Sequence, residues 1–156
     1  MISRISILVR ETEGRYLYDS ELSVYTRYLS ELKARIAVYQ KLQALETEVI
    51  AEIEGKLRHQ DSSLFLYGGE DVSSKWKRDT LLTYRAMAKA VLLDDVDYLK
   101  QSFLLWMQTM MRAFGALRSC AETYMLMGTV LRRRLSSPEV AILMPVLQVI
   151  QQTLAE

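Results

Sequence analysis

The sequence predicts an all-α protein of about six to eight helices, and three observations carry that reading. Apolar residues recur at three- and four-residue spacing through most of the chain, the period of one helix face. Only 6 Gly and 2 Pro occur among 156 residues, too little turn chemistry for a many-stranded sandwich or barrel. Half of the residues are hydrophobic and a quarter charged, which suits a folded chain of single-domain length rather than a disordered one. Residues 1–156 therefore read as one domain, with residues 1–13 a short N-terminal segment.

From Ser20, the residues Leu22, Tyr25, Leu29, Leu32 and Ile36 form one apolar stripe, with Asp19 or Ser20 as cap and Glu21 near the positive end of the helix dipole. The pattern continues through Leu42, Leu45, Val49, Ile53 and Leu57, with a bend expected at 32–35, where the stripe changes phase. Residues 59–72 read as a loop around Gly68-Gly69. Ser73-Ser74 cap a helix running to Leu93, and Asp94-Asp95 break it and cap the next. That next helix, 96–113, places Leu99, Phe103, Trp106, Met110 and Ala113 on one face. Gly115 reads as a joint, followed by a helix over 116–134. Ser136-Ser137-Pro138-Glu139 combines cap, first-turn proline and acid, opening a helix to Leu154 that Pro145 should kink. Helices of such unequal length suit a globin-like arrangement better than a regular bundle.

Composition excludes much chemistry. One Cys and one His leave no disulfide framework, no multi-cysteine metal site and no site needing two imidazoles. No Gly-rich phosphate loop, G-x-S-x-G or H-E-x-x-H occurs, so no enzyme is expected. The apolar windows 103–117 and 140–150 are too interrupted or too short to span a bilayer, and no signal peptide is recognisable, so the cytoplasm is the expected compartment. The one basic cluster, Arg132-Arg133-Arg134, reads as a helix-end feature meeting dipole and solvent, and no nucleic acid is expected as a partner. Cys120 reads as a buried, inert thiol, and His59 as a helix-end residue. Glu46, Glu48, Glu52 and Glu54 read as a solvated acidic face rather than a metal site. The methionines of 103–127 and the apolar run Val140–Leu147 read first as core and second as a partner surface.

Three blocks, taken together, resemble one known family. EGRYLYDSELSVYTRYLSELKARIAV (13–38), WKRDTLLTYRAMAKAVLLDD (76–95) and RAFGAL (112–117) are similar, in order and largely without gaps, to segments of phycobiliproteins. These are the globin-like light-harvesting subunits of phycobilisomes, and the allophycocyanin type is the most similar. The resemblance spans residues 13–134. It implies a globin-like fold, oligomerisation, and partners among phycobilisome or photosystem proteins, in the cytoplasm or at the cytoplasmic face of the thylakoid. It implies subunit pairing through the N-terminal helices, where Tyr16, Leu17, Tyr18, Tyr25 and Tyr28 supply aromatic anchors.

The resemblance also aligns Trp76 with the cysteine that carries the family's bilin in C-x-R-D. An indole cannot form that thioether, so no covalent cofactor is expected. Arg78 and Asp79 align with the residues that meet the bilin propionate and pyrrole nitrogens, and the loop before Trp76 is about four residues shorter than the family's. Two expectations follow: a chromophore-less interaction protein serving assembly, scaffolding or regulation, or a non-covalent tetrapyrrole carrier using Trp76, Arg78 and Asp79.

Overall fold

A computed structural model describes residues 1–155. In chain order it contains α1 (Ile2–Glu11), α2 (Asp19–Gln60), a 3₁₀ turn (Ser62–Phe65), β1 (Leu66–Tyr67), β2 (Glu70–Asp71), α3 (Ser73–Leu93), α4 (Val96–Leu99), a π-helical turn (Lys100–Leu104), α5 (Leu105–Ala113), α6 (Leu117–Arg134) and α7 (Ser137–Ala155). Residues 1–13, read from sequence as a short segment, thus hold a helix. Its Ile2, Ile5 and Leu8 fall at helical spacing, yet none of its residues is buried.

Helix α2 is unbroken over 42 residues, roughly 63 Å at 1.5 Å per residue. Its start differs from the sequence reading, because the Glu21 carboxylate reaches back to accept the Tyr18 N–H at 2.8 Å. Neither Asp19 nor Ser20 is the cap. Between Asp19 and Ala37 only Val24 is buried, whereas Val38, Leu42, Val49, Ile50, Ile53 and Leu57 enter the core. The helix is therefore half stem and half core element.

Gly68 and Gly69, at φ 59° and 89°, form a two-residue turn with both centres in the left-handed region, which joins strands most compactly. Leu66 pairs with Asp71 and Tyr67 with Glu70, so the expected loop carries a minimal hairpin. Val72, not Ser73 or Ser74, is the N-cap of α3, and Asp71 just before it accepts the Ser73 N–H on its Oδ1 at 2.7 Å. Asp94 adopts φ 50° and ends α3. Asp95 then caps α4 by accepting the Tyr98 N–H at 3.0 Å, so the Asp94-Asp95 break forms as the sequence indicates. Gly115, at φ 62°, turns the chain from α5 into α6.

The core is one contiguous cluster built from the second half of α2, from α3, α6 and α7, and from Leu99, Leu104 and Met107. Tyr84 lies within it and donates its hydroxyl to the Leu42 carbonyl at 2.8 Å, tying α3 to α2. Helix α7 supplies Leu143, Val146, Leu147, Ile150 and Leu154 and runs on through Pro145, which lies on its exposed side. Its apolar run is mostly core. Met107 and Met127 are likewise buried, while Met125 is exposed.

At the start of α7 the Glu139 carboxylate accepts the Ser136 N–H at 2.7 Å and pairs with Lys41 of α2 at 2.7 Å. These donors hold its pKa down from 4.5 to about 2, the Lys41 hydrogen bond most of all. A depressed carboxylate stabilises the fold above its unfolded pKa, and that contribution disappears as pH falls through the folded value. Glu139→Gln should therefore lower the urea midpoint at pH 7. The gap to wild type should close as pH falls from 4.5 to about 2, as urea titrations at pH 7, 4 and 2 will show.

Candidate functional site

Trp76 stands in the first turn of α3, where the chain leaves the hairpin. Its Nε1–H donates to Thr123 Oγ1 of α6 at 2.9 Å, and that hydroxyl donates onward to the Ser119 carbonyl at 2.6 Å. The indole meets the buried ring of Phe65 edge-on, with centroids 5.1 Å apart and planes at 78°, a favoured aromatic geometry. The Arg58 guanidinium lies 4.6 Å over that same Phe65 ring. Trp76 thereby joins the end of α2, the 3₁₀ turn and α6.

Arg78 and Asp79 diverge from one another in surroundings. Arg78 is 71% exposed, and the ion pair it makes is to its own neighbour Asp79, at 3.2 Å. Asp79 is three-quarters covered and near enough to Cys120 and Tyr124 of α6 for its charge to oppose their ionisation. Its carbonyl accepts from Thr83 Oγ1 at 3.0 Å, and Thr83 Oγ1 accepts from the Tyr124 hydroxyl at 2.9 Å. A polar ladder thus lines the contact of α3 with α6. Sequence reasoning singled out Trp76 and Asp79 but missed Phe65, Thr83, Thr123 and Tyr124. Their one sequence signal is that Thr83 and Thr123 interrupt otherwise apolar stripes.

Cys120 is buried, and desolvation first, then the Asp79 charge, pushes its thiol up from 9.0 to about 12. His59 lies at the exposed end of α2, on the rim of a shallow concavity of about 450 Å³ beside Gly55 and Lys56. A second cleft of about 310 Å³ opens between α2 and α3, lined by Tyr39, Gln43, Arg85 and Lys89 among others. Neither concavity is lined by Trp76, Arg78 or Asp79.

The four glutamates keep part of their surface in solvent, as read from sequence, and each is also ion-paired. Glu46 pairs with Arg85 and Glu54 with Arg58. Glu48 and Glu52 receive Arg134 at 2.6 and 2.9 Å, and Arg133 also reaches Glu52. Two of the three clustered arginines therefore clamp α6 to α2 instead of meeting solvent alone.

The tyrosines sit at the other end of α2. Tyr16 is 96% exposed in the link from α1, Leu17 is half-buried, and Tyr18 is 65% exposed beneath the Arg15 guanidinium. Tyr25 and Tyr28 are half-buried on the stem. About thirty residues of helix, roughly 45 Å, separate Tyr28 from Arg58 beside Phe65, so the two candidate sets do not share a site.

The family model described as Phycobilisome protein matches residues 6–154. The chain belongs to that family. No curated protein matches it. The match includes the stem from Tyr16 to Tyr28, the Trp76 region and α7, so membership extends beyond the three blocks that carry the sequence resemblance.

Two outcomes are expected. At pH 8 the shift at Cys120 lowers its thiolate fraction roughly a thousandfold, so a disulfide reagent should modify the folded protein slowly and the guanidinium-unfolded protein completely. In a Trp106→Phe background, Thr123→Val should orphan the Trp76 N–H, cost about 1–2 kcal/mol in urea and shift the remaining tryptophan emission.

Proposed function

We propose that the protein is a phycobiliprotein-like interaction protein without covalent bilin, not an enzyme, which acts as an assembly, scaffolding or regulatory factor for phycobilisomes or photosystems. The observation that carries this reading is the unpartnered apolar face of α1 and the α2 stem. Val9 of α1, Tyr16 and Tyr18 of the link, and Leu22 and Leu29 of α2 are each between 45% and 96% exposed, and exposed apolar side chains are the material of interaction surfaces. Trp76 supports the absence of a thioether, since its indole offers no sulfur and is engaged with Thr123 and Phe65. No helix among the described residues is long and apolar enough to cross a membrane, so docking at the cytoplasmic face of the thylakoid would be peripheral.

The experiment is capture of purified phycobilisome subunits by the protein and by its Tyr16→Ala, Leu22→Glu variant. Wild type should retain them and the variant should lose most of the capture. Equal retention by both would remove the stem from the docking surface.

A second reading, a non-covalent tetrapyrrole carrier, draws on the exposed guanidinium of Arg78 beside the covered carboxylate of Asp79. Their chemistry suits a propionate and a ring N–H. Protein purified from a bilin-producing host should show no stoichiometric visible band under the first reading. A band abolished by Arg78→Ala, Asp79→Ala would establish the second.

A further inference from the structure

Helix α5 is apolar on two sides. Its inner side seats Met107 in the core next to Leu104 of the π-helical turn, and Met111 packs against the same cluster. Its outer side carries Leu105 and Trp106, 46% and 56% exposed, and the half-buried Met110. Trp106, Met110 and Phe114 follow one another at intervals of four, so they form a ridge roughly 12 Å long. Ring contacts extend it at both ends. Phe103 lies 6.2 Å from Trp106 between centroids, and Tyr67 of the hairpin meets Phe114 edge-on at 6.1 Å. A surface helix ordinarily has one apolar side, turned to the core, and one polar side. Here the outward side is apolar as well, and the core does not use it.

We propose that this ridge seats on an anionic lipid surface, with α5 lying in the plane of the headgroups. The proposal goes beyond the docking reading above, which concerns protein partners and the stem, and does not depend on it. Charge selects the occupant. Residues 98–121 hold Lys100, Arg112 and Arg118 and no Asp or Glu, the longest acid-free stretch of the chain. Arg118 is paired with Asp61, while Lys100 and Arg112 are exposed toward the two ends of the ridge. Bases beside exposed aromatic and aliphatic side chains suit lipid phosphates over acyl chains, and indole rings favour the headgroup level. Across the hairpin Tyr67 is paired with Glu70, so the acid-free zone ends at Phe114. Neither concavity described above contains a ridge residue. The ridge therefore offers side chains to insert and no groove to be filled, which suits a deformable medium. No helix among the described residues is long and apolar enough to cross a membrane, so α5 lies on the bilayer and does not span it.

The test is flotation of the full chain with phosphatidylcholine vesicles, with and without phosphatidylglycerol, at low and high salt. Thermal melts check that each variant folds. Wild type should float with the phosphatidylglycerol vesicles at low salt and be released from neutral ones. Trp106→Glu, at a position mostly exposed, should lower partitioning at least about tenfold, and Lys100→Ala about fivefold. Brominated lipid should quench the wild-type tryptophan emission and leave that of Trp106→Phe, whose remaining indole is Trp76, unchanged. The stem variant Tyr16→Ala, Leu22→Glu should float as wild type does. Absence of binding to anionic vesicles overturns the proposal, as does equal binding to neutral ones, or binding that Trp106→Glu leaves intact. Self-association or subunit capture that depends on Trp106 without vesicle binding would make the ridge a protein surface and overturn it too. Capture by the stem without flotation leaves the docking reading standing while this one fails, and flotation without capture does the reverse.

Discussion

One helix is too long for the core it serves. The second half of α2 is wrapped by α3, α6 and α7, and buries Val38 through Leu57 almost completely. The first half runs past the edge of that cluster, where only the marginal α1 accompanies it. Since most helical stability in water comes from burying an apolar face, the stem holds its conformation by continuity with the anchored half and by local devices. The Glu21 cap is one of these, and the bidentate Arg15–Glu21 pair at 2.8 and 2.9 Å is another. Arg35 marks the departure point: its guanidinium bonds the Val91 carbonyl at 3.1 Å, Asp94 at 2.7 Å and Glu31 at 2.9 Å. Ser3 then bonds the Asp95 carboxylate at 2.5 Å, fixing α1 to the same corner.

The remainder of the molecule stabilises the anchored half by two different means. Apolar burial dominates, with Leu42, Ile53, Leu57, Met87, Met127, Leu131 and Leu147 fully enclosed. Polar contacts set the register where helices meet: Tyr84 on Leu42, Tyr124 on Thr83, Gln151 on the Tyr124 carbonyl at 2.9 Å and Trp76 on Thr123. A buried hydroxyl or indole N–H must find an acceptor or lose about 1–3 kcal/mol, so each of these pairs permits one relative position of its two helices. The exposed clamps of Arg133 and Arg134 on Glu48 and Glu52 add little each, on the order of 0–1 kcal/mol. Their shared carboxylate makes them a network at the far edge of the same α2–α6 contact.

Helix identity was legible where period and punctuation agree. The Asp94-Asp95 break, the Gly115 joint and the Ser136–Glu139 start all formed where the sequence places them, because φ preference and capping chemistry act within a few residues. Helix α1 was not foreseen; its ten residues bury nothing, and so short an amphipathic segment gives little periodic signal. Val72 rather than Ser73 or Ser74 took the cap position of α3, because the two-residue Gly68-Gly69 turn ends the hairpin at Asp71, whose carboxylate then accepts the Ser73 N–H. At the Trp76 site the sequence supplied the indole and the carboxylate, but not Thr123 and Phe65. Those partners come from other elements and share no local pattern with it.

The sequence by itself determined the all-α class, the order of the main helices and the kinship with phycobilisome proteins, since these follow from periodicity, turn chemistry and residue identity along the chain. Tertiary structure decided which stripes became core. Leu22, Leu29 and Ile36 are as apolar as Leu42, Val49 and Ile53 and lie on the same helix, yet the first set is exposed and the second enclosed. The same contacts turned the acidic run of α2 into ion-paired clamps for Arg85, Arg133 and Arg134. Burial and pairing depend on what the other helices bring to that place, and one α-helix of roughly 63 Å outreaches the partners this chain can fold against it.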